Sequence, residues 1–370
     1  MSFFDIEIDF YWLVILGQFL FTLIISTLIY PGLEHFSRIK NIKVIAKKNS
    51  KLSMVLSSYG IFITFLMSVI FAFVLFGSTP LPLSIRALGI PLLILFSLDL
   101  DIKDNKGSVF TKTLVLIGLV ILFILISNNM AIKVQNWFGV GLVANGLSWV
   151  FMILIYFIGL NAFKVLDRVD GLVGGLAIVA NLYFGIAFIL IKDFHWAFIS
   201  FASFGAILGF LISKIFSKQS IYLGNGGSLF VGFILITLSL NYWISPNLII
   251  SDYQEYDILT FVAVISYPLV NIVRMFLIRL RKGKSPFRAS RNHLHYELVK
   301  LGLNHRQITL FILGYTILLV LLIENVDSKG IYVTLSILLF FLLLLGLSPL
   351  FLIKSEYGIR LRWPWDFQNS

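Results

Sequence analysis

The chain has 370 residues, 59% of them hydrophobic and only 13% charged, with a net charge of +11 and no cysteine. A soluble domain carries about 25% charged residues, so a water-soluble fold is excluded, and without cysteine so are disulfides and thiolate metal sites. No nucleic-acid-binding motif accompanies the basic charge, which fits cytoplasmic loops beside anionic lipid.

Apolar runs of about 20 residues, each long enough to cross a bilayer as a helix, recur from end to end. Asp5, Glu7 and Asp9 precede the first run, where a cleaved signal would carry Lys or Arg. The expected spans are 11–31, 53–77, 80–98, 113–129, 146–166, 171–192, 195–214, 228–246, 257–280, 307–324 and 329–352. The predicted fold is therefore all-α, a polytopic membrane bundle of about eleven transmembrane helices. No soluble segment or Pro-rich linker interrupts it, so residues 1–370 read as a single integral membrane domain.

Basic residues set the orientation. The loop after the first span carries Arg38, Lys40, Lys43, Lys47, Lys48 and Lys51, and the loop after the ninth carries Arg279, Arg281, Lys282, Arg288 and Arg291. Both should be cytoplasmic, with the N-terminus outside. Four polar patches then share the cytoplasmic face: 99–112, 164–170, 214–228 and 279–306.

Each patch suggests chemistry. Asp99, Asp101 and Asp104 follow the third span, with Lys112 behind them. A boundary carboxylate can bind Mg²⁺ or take a proton, and a lysine can neutralise phosphate, though an ordinary charged loop has the same composition. In N-A-F-K-V-L-D-R-V-D-G-L, Asp167 and Asp170 share a face if the turn is helical. They can hold a metal, polarise a phosphate, or simply flank a membrane helix. Tyr222 to Ser228 is a glycine-rich turn expected to precede the eighth span, where backbone amides can meet an anion. His293 and His295, with Arg288 and Arg291, suit a nucleotide diphosphate. Zinc is the weaker reading because no third ligand is in register, and a solvated basic loop is the bland one.

Taken together, the patches resemble the polyprenyl-phosphate N-acetylhexosamine-1-phosphate transferases, most closely the N-acetylglucosamine-1-phosphate branch. The resemblance covers roughly residues 85–310. It rests on N-A-F-x-x-x-D-x-x-D-G-L-x-G-G-L at 161–176, L-G-x-x-G-S-x-F-x-G at 223–232 and G-x-S-P-F-x-x-x-R-x-H-L-H at 283–295. It implies a bacterial inner-membrane enzyme with a cytoplasmic site. Such an enzyme moves a sugar-1-phosphate from a UDP-sugar to polyprenyl phosphate and releases UMP, with Mg²⁺ (or Mn²⁺) as cofactor. UDP-sugar, polyprenyl phosphate and membrane lipids are the implied partners, nucleic acid is not, and a homodimer is allowed.

By this resemblance Asp99, Asp167 and Asp170 are the catalytic candidates. Lys112, Asn161, Arg291, His293 and His295 are the substrate-binding ones, and Asp170 with Asn225 the metal ligands. The chain departs from the pattern at several places. Leu100 and Asn225 stand where the family has Asp, Lys164 where it has Asn and Arg168 where it has Gly. Ser290 and Asn271 replace further aspartates, and Tyr296 replaces a histidine. Lys164 and Arg168 can take over part of a metal's charge on phosphate, or pair with Asp167 and Asp170. The neutral substitutions make a lipid-phosphate-binding scaffold the alternative to an enzyme. A secondary transporter would show repeated halves, and none is found.

Overall fold

The computed structural model describes residues 3–39, 58–71, 116–118, 120–123, 141–217, 223–243, 257–281, 283, 293–326, 331–355 and 358–361. They are helical except for turns and one short hairpin, and they fall into two compact units. Six described helices are long and apolar enough to cross a membrane, and Ser58–Phe71 and Tyr332–Leu347 are shorter apolar ones. The expected span at 80–98 lies outside the described residues, and within 113–129 only 116–118 and 120–123 are described, as helix.

The first unit comprises Met1–Asp167 and Val173–Ser251. Its helices are α1 (Phe3–Ile39), α2 (Ser58–Phe71), α3 (Gly141–Leu166), α4 (Leu172–Leu190), α5 (Phe194–Phe216) and α6 (Gly224–Trp243). All of α6 but Asn225 and Asn241 is buried, as expected of a helix apolar on every side. On α1, by contrast, Leu13, Leu16, Leu20, Ile24 and Leu28 are exposed at three- and four-residue spacing. That stripe suits lipid.

Lipid tails are as apolar as leucine, so membrane helices associate through close packing and hydrogen bonds. On α3 and α6, glycine notches do this. A Cβ on Gly159 would lie 2.5 Å from Ile236, and one on Gly232 2.9 Å from Phe163. The Tyr156 hydroxyl lies 2.9 Å from that of Thr237. These pairs run in opposite order along the two helices, so α3 and α6 are antiparallel. The end of α3 therefore meets the start of α6, which positions the candidate residues of this unit. On α1 and α5 the order is the same in both helices. The Gln18 side-chain amide donates to the Phe198 carbonyl at 3.3 Å, and Ser26 Oγ to that of Ala206 at 2.7 Å.

The second unit comprises Arg168–Leu172 and Asp252–Ser370. It holds α7 (Asp257–Val264), α8 (Ser266–Arg281), α9 (Leu294–Lys300), α10 (His305–Val326) and α11 (Ile331–Phe351). The single span expected at 257–280 is thus two helices, interrupted at Ile265. Pro268 is the cause: it has no N–H to give the Val264 carbonyl and its ring crowds that group. The chain restarts with Leu269 N–H donating to the Ile265 carbonyl at 3.0 Å. The described residues are all-α as expected, apart from one short hairpin, and six of their helices are candidate spans. After α11, β1 (Leu352–Ser355) and β2 (Gly358–Leu361) form an antiparallel hairpin, with Leu352 opposite Leu361.

Candidate functional site

In the first unit, the site begins where α3 ends. Asp167 follows Leu166, and its carboxylate accepts two backbone hydrogen bonds: Leu223 N–H to Oδ1 at 2.9 Å and Gly224 N–H to Oδ2 at 2.8 Å. A helix N-terminus leaves its first amides without partners inside the helix and carries partial positive charge. A carboxylate there is favoured on both counts. Asp167 thus ties the end of the 161–176 motif to the start of the 223–232 motif.

Ser58 completes the tie from α2. Its Oγ donates to the Leu223 carbonyl at 2.7 Å and accepts from Gly227 N–H at 2.9 Å. With these amides satisfied from outside, the glycine segment does not precede the helix as expected. Gly224 to Ser228 are the first turn of α6 itself. Gly224 has φ +80°, where a side chain is strained. Asn225 is exposed, and its carbonyl accepts from Ser228 Oγ at 3.0 Å. Asn161 is half-buried one and a half turns before Asp167, its side-chain amide donating to the Phe157 carbonyl at 2.7 Å.

Residues 167–171 form a turn, not a helix, so Asp167 and Asp170 do not share a helical face. Gly171 at φ +75° and a bond from Leu172 N–H to the Val169 carbonyl at 3.2 Å shape the turn. Asp170 belongs to the second unit, half-buried, and its backbone carbonyl accepts from Thr309 Oγ1 at 2.9 Å. Thr309 stands one turn along α10 from His305, so the 168–172 turn docks beside the start of α10.

The histidine pair is also in the second unit. His293 is the N-cap residue of α9 and His295 lies in its first turn. Their rings stack at 5.5 Å between centroids, and Tyr296 lies 4.4 Å from His295. Neither is the solvated loop residue of the bland reading: His293 is 7% exposed and His295 1%. Both ring nitrogens of His295 lack a hydrogen-bond partner among the described residues. Burial pushes its pKa down to about 3, and His293, Arg168 and His305 nearby push the same way. His295 is therefore neutral at pH 7. Across from the pair, Asn271 on α8 accepts from Leu294 N–H at Oδ1, 3.0 Å away. Its Nδ2 lies 3.4 Å from His293 Nδ1.

Of the sequence-predicted residues, Asp99, Lys112 and Arg291 lie outside the described ones, as does Leu100. Ser58, Asn271, His305 and Thr309 were not among the candidates. Asn271 had a signal, since a polar side chain inside an apolar helix is costly and marks a site. Ser58 had none. Among the described residues no group of three or more His, Cys, Asp or Glu side chains comes together to hold a metal. Asp170 and Asn225, the expected metal ligands, belong to different units.

Comparison with known proteins bears on this geometry. The family model of Glycosyl transferase family 4 matches residues 83–242. The undecaprenyl-phosphate alpha-N-acetylglucosaminyl 1-phosphate transferase of Escherichia coli (strain K12) is 30% identical over 151 residues, 40% of each chain. The transferase of that name from Yersinia pestis is 27% identical over 169 residues, 45% of each. The decaprenyl-phosphate N-acetylglucosaminephosphotransferase of Mycobacterium leprae (strain TN) is 31% identical over 169 residues, 41% of each. The chain thus spans less than half the length of the curated relatives it matches. The stretch matched by the Glycosyl transferase family 4 model, residues 83–242, holds both Asp167 and the amides it clamps.

Proposed function

We propose that this chain transfers an N-acetylhexosamine-1-phosphate from a UDP-sugar to polyprenyl (undecaprenyl) phosphate and releases UMP. The reaction takes place at the cytoplasmic face of a bacterial inner membrane and starts a lipid-linked envelope glycan. Residues 1–370 act as a single integral membrane domain of about eleven spans, in contact with membrane lipids and without a nucleic-acid partner. A homodimer is the assembly this reading allows. The observation that carries the reading is the Asp167 clamp, which joins two separated motifs inside the family-matched stretch.

A lipid phosphate oxygen forms a new P–O bond at the sugar-bearing phosphorus. The bridging P–O bond of the diphosphate breaks, and its electron pair leaves with UMP. Such transfers are catalysed mostly by positioning and by offsetting charge. Asp99 engages the lipid phosphate and Lys112 offsets its charge. Asp170 and Asn161 serve the nucleotide side, and Asp167 fixes the motif that presents Asn225. Arg291, His293 and His295 contact the diphosphate. Arg168 is exposed and forms no hydrogen bond or ion pair among the described residues. That favours a role on phosphate over pairing with the carboxylates. Mg²⁺, or Mn²⁺, would offset diphosphate charge when bound, and no step here depends on it.

A second reading has its own support. Asn225 is neutral and exposed where the family pattern has Asp, so a scaffold that binds lipid phosphate without turnover is the rival. UMP release separates the two. Full-length protein in nanodiscs is given polyprenyl phosphate and a panel of UDP-sugars while Mg²⁺ is titrated, alongside N225D. UMP from at least one UDP-N-acetylhexosamine supports the enzyme, and N225D should then respond at lower Mg²⁺ with more UMP. No UMP from either protein, with polyprenyl phosphate still bound, makes it a scaffold.

A further inference from the structure

We infer that Asn271 is a positioning residue that fixes the tautomer of His293, placing the ring proton on Nε2, so that His293 meets an anionic phosphoryl ligand as a neutral hydrogen-bond donor. The inference rests on the reading of the histidine pair as a diphosphate contact, and it adds what sets the chemical state of that contact.

The Asn271 amide faces both Leu294 N–H and His293 Nδ1. Its oxygen and nitrogen have opposite roles, and which end points where must be settled by the neighbours. Leu294 N–H settles it. A backbone N–H can only donate, so the group 3.0 Å from it is Oδ1. The other end of the amide is then NH₂, which can only donate, and it lies 3.4 Å from His293 Nδ1. A neutral imidazole has one donor nitrogen and one acceptor. Nδ1 facing NH₂ must be the acceptor, which leaves the proton on Nε2. A proton on Nδ1 would set two donors face to face where Asn271 is 0% exposed.

The same amide does two jobs from one side chain. It caps α9 through Leu294 and orients the ring of the residue just before it. The surroundings agree in sign. His293 faces the neutral His295 ring and Tyr296 on its own element. On α8, Arg274 interacts electrostatically with Glu297 of α9 and with Tyr267. Arg168 adds positive charge near His295, whose pKa His305 also pushes down. A cation at His293 would add to that charge, whereas a neutral donor does not.

N271D separates capping from tautomer control. It is isosteric, and its carboxylate still accepts from Leu294 N–H, so the start of α9 is kept. The side facing Nδ1 changes from donor to acceptor. The chain has five histidines, at 35, 195, 293, 295 and 305, few enough for ¹⁵N-histidine NMR on the full-length protein in nanodiscs. H293N identifies the His293 signals by their loss. The parent should show His293 protonated at Nε2 only, and N271D should show a proton on Nδ1. UDP is the probe ligand. At pH 8 it should shift the parent His293 Nε2 signal, and N271D should bind it about tenfold more weakly, the worth of one hydrogen bond to a charged group. A parent proton on Nδ1, or an N271D spectrum identical to the parent, overturns the inference even if UDP binds. The inferred tautomer with no histidine responding to UDP overturns instead the diphosphate contact on which the inference rests.

Discussion

Removing the Asp167 carboxylate should cost stability as well as activity, and the structure gives the size. Two backbone amides donate to it, at 2.9 and 2.8 Å. Leu223 is 0% exposed, so water does not replace the lost acceptor at its N–H. A hydrogen bond to a charged group is worth about 1.5–3 kcal/mol, and orphaning a buried donor costs about as much as the bond. Two such bonds sharing one carboxylate are not additive, so D167A should lose roughly 3–4 kcal/mol. D167N keeps the shape and one acceptor oxygen, but turns an NH₂ toward the second N–H and removes the charge at the start of α6. It should lose roughly 2 kcal/mol. Membrane proteins of this size often unfold irreversibly, so thermal inactivation is compared at one scan rate. Hydrogen exchange of the peptide covering 223–228 is measured alongside. The expected order of stability is parent, D167N, D167A, with faster exchange at Leu223 and Gly224 in both variants. If both variants inactivate and exchange like the parent while turnover is lost, Asp167 acts in chemistry alone and the clamp argument fails.

His295 makes a pH prediction. Its folded pKa is about 3, below the unfolded value near 6.5. The unfolded chain therefore binds the extra proton first, so the stability contribution is complete above pH 6.5 and is lost as pH falls toward 3. Between pH 7.5 and 5.5 the parent should lose roughly 1 kcal/mol at this residue; H295L should lack that part of the slope, and equal slopes would show that His295 is not buried neutral. Gly224 makes a backbone prediction. At φ +80° any L-residue costs about 1–2 kcal/mol, so G224A should lower the inactivation temperature and speed exchange at the start of α6, and an unchanged profile would mean the turn adapts.

Much of this protein can be read from its sequence. The repeated apolar runs determine a helical membrane protein because hydrocarbon leaves the backbone no other way to satisfy its hydrogen bonds. The motifs at 161–176 and 223–232 declare themselves because ionisable groups and glycines are costly in such a chain. Pro268 is also legible as a helix breaker, whereas run length alone reports one unbroken span. What Asp167 does was not legible. Its partners are 56 and 57 residues away, and only the antiparallel packing of α3 on α6 through Gly159 and Gly232 brings them within reach. The same holds for Asn271, whose sequence shows a lone amide in an apolar helix. Its orientation is decided by the N–H of Leu294, 23 residues on. Periodicity and composition report a residue's immediate surroundings. Which donor meets which acceptor depends on how separate helices pack, and that the tertiary structure alone decided.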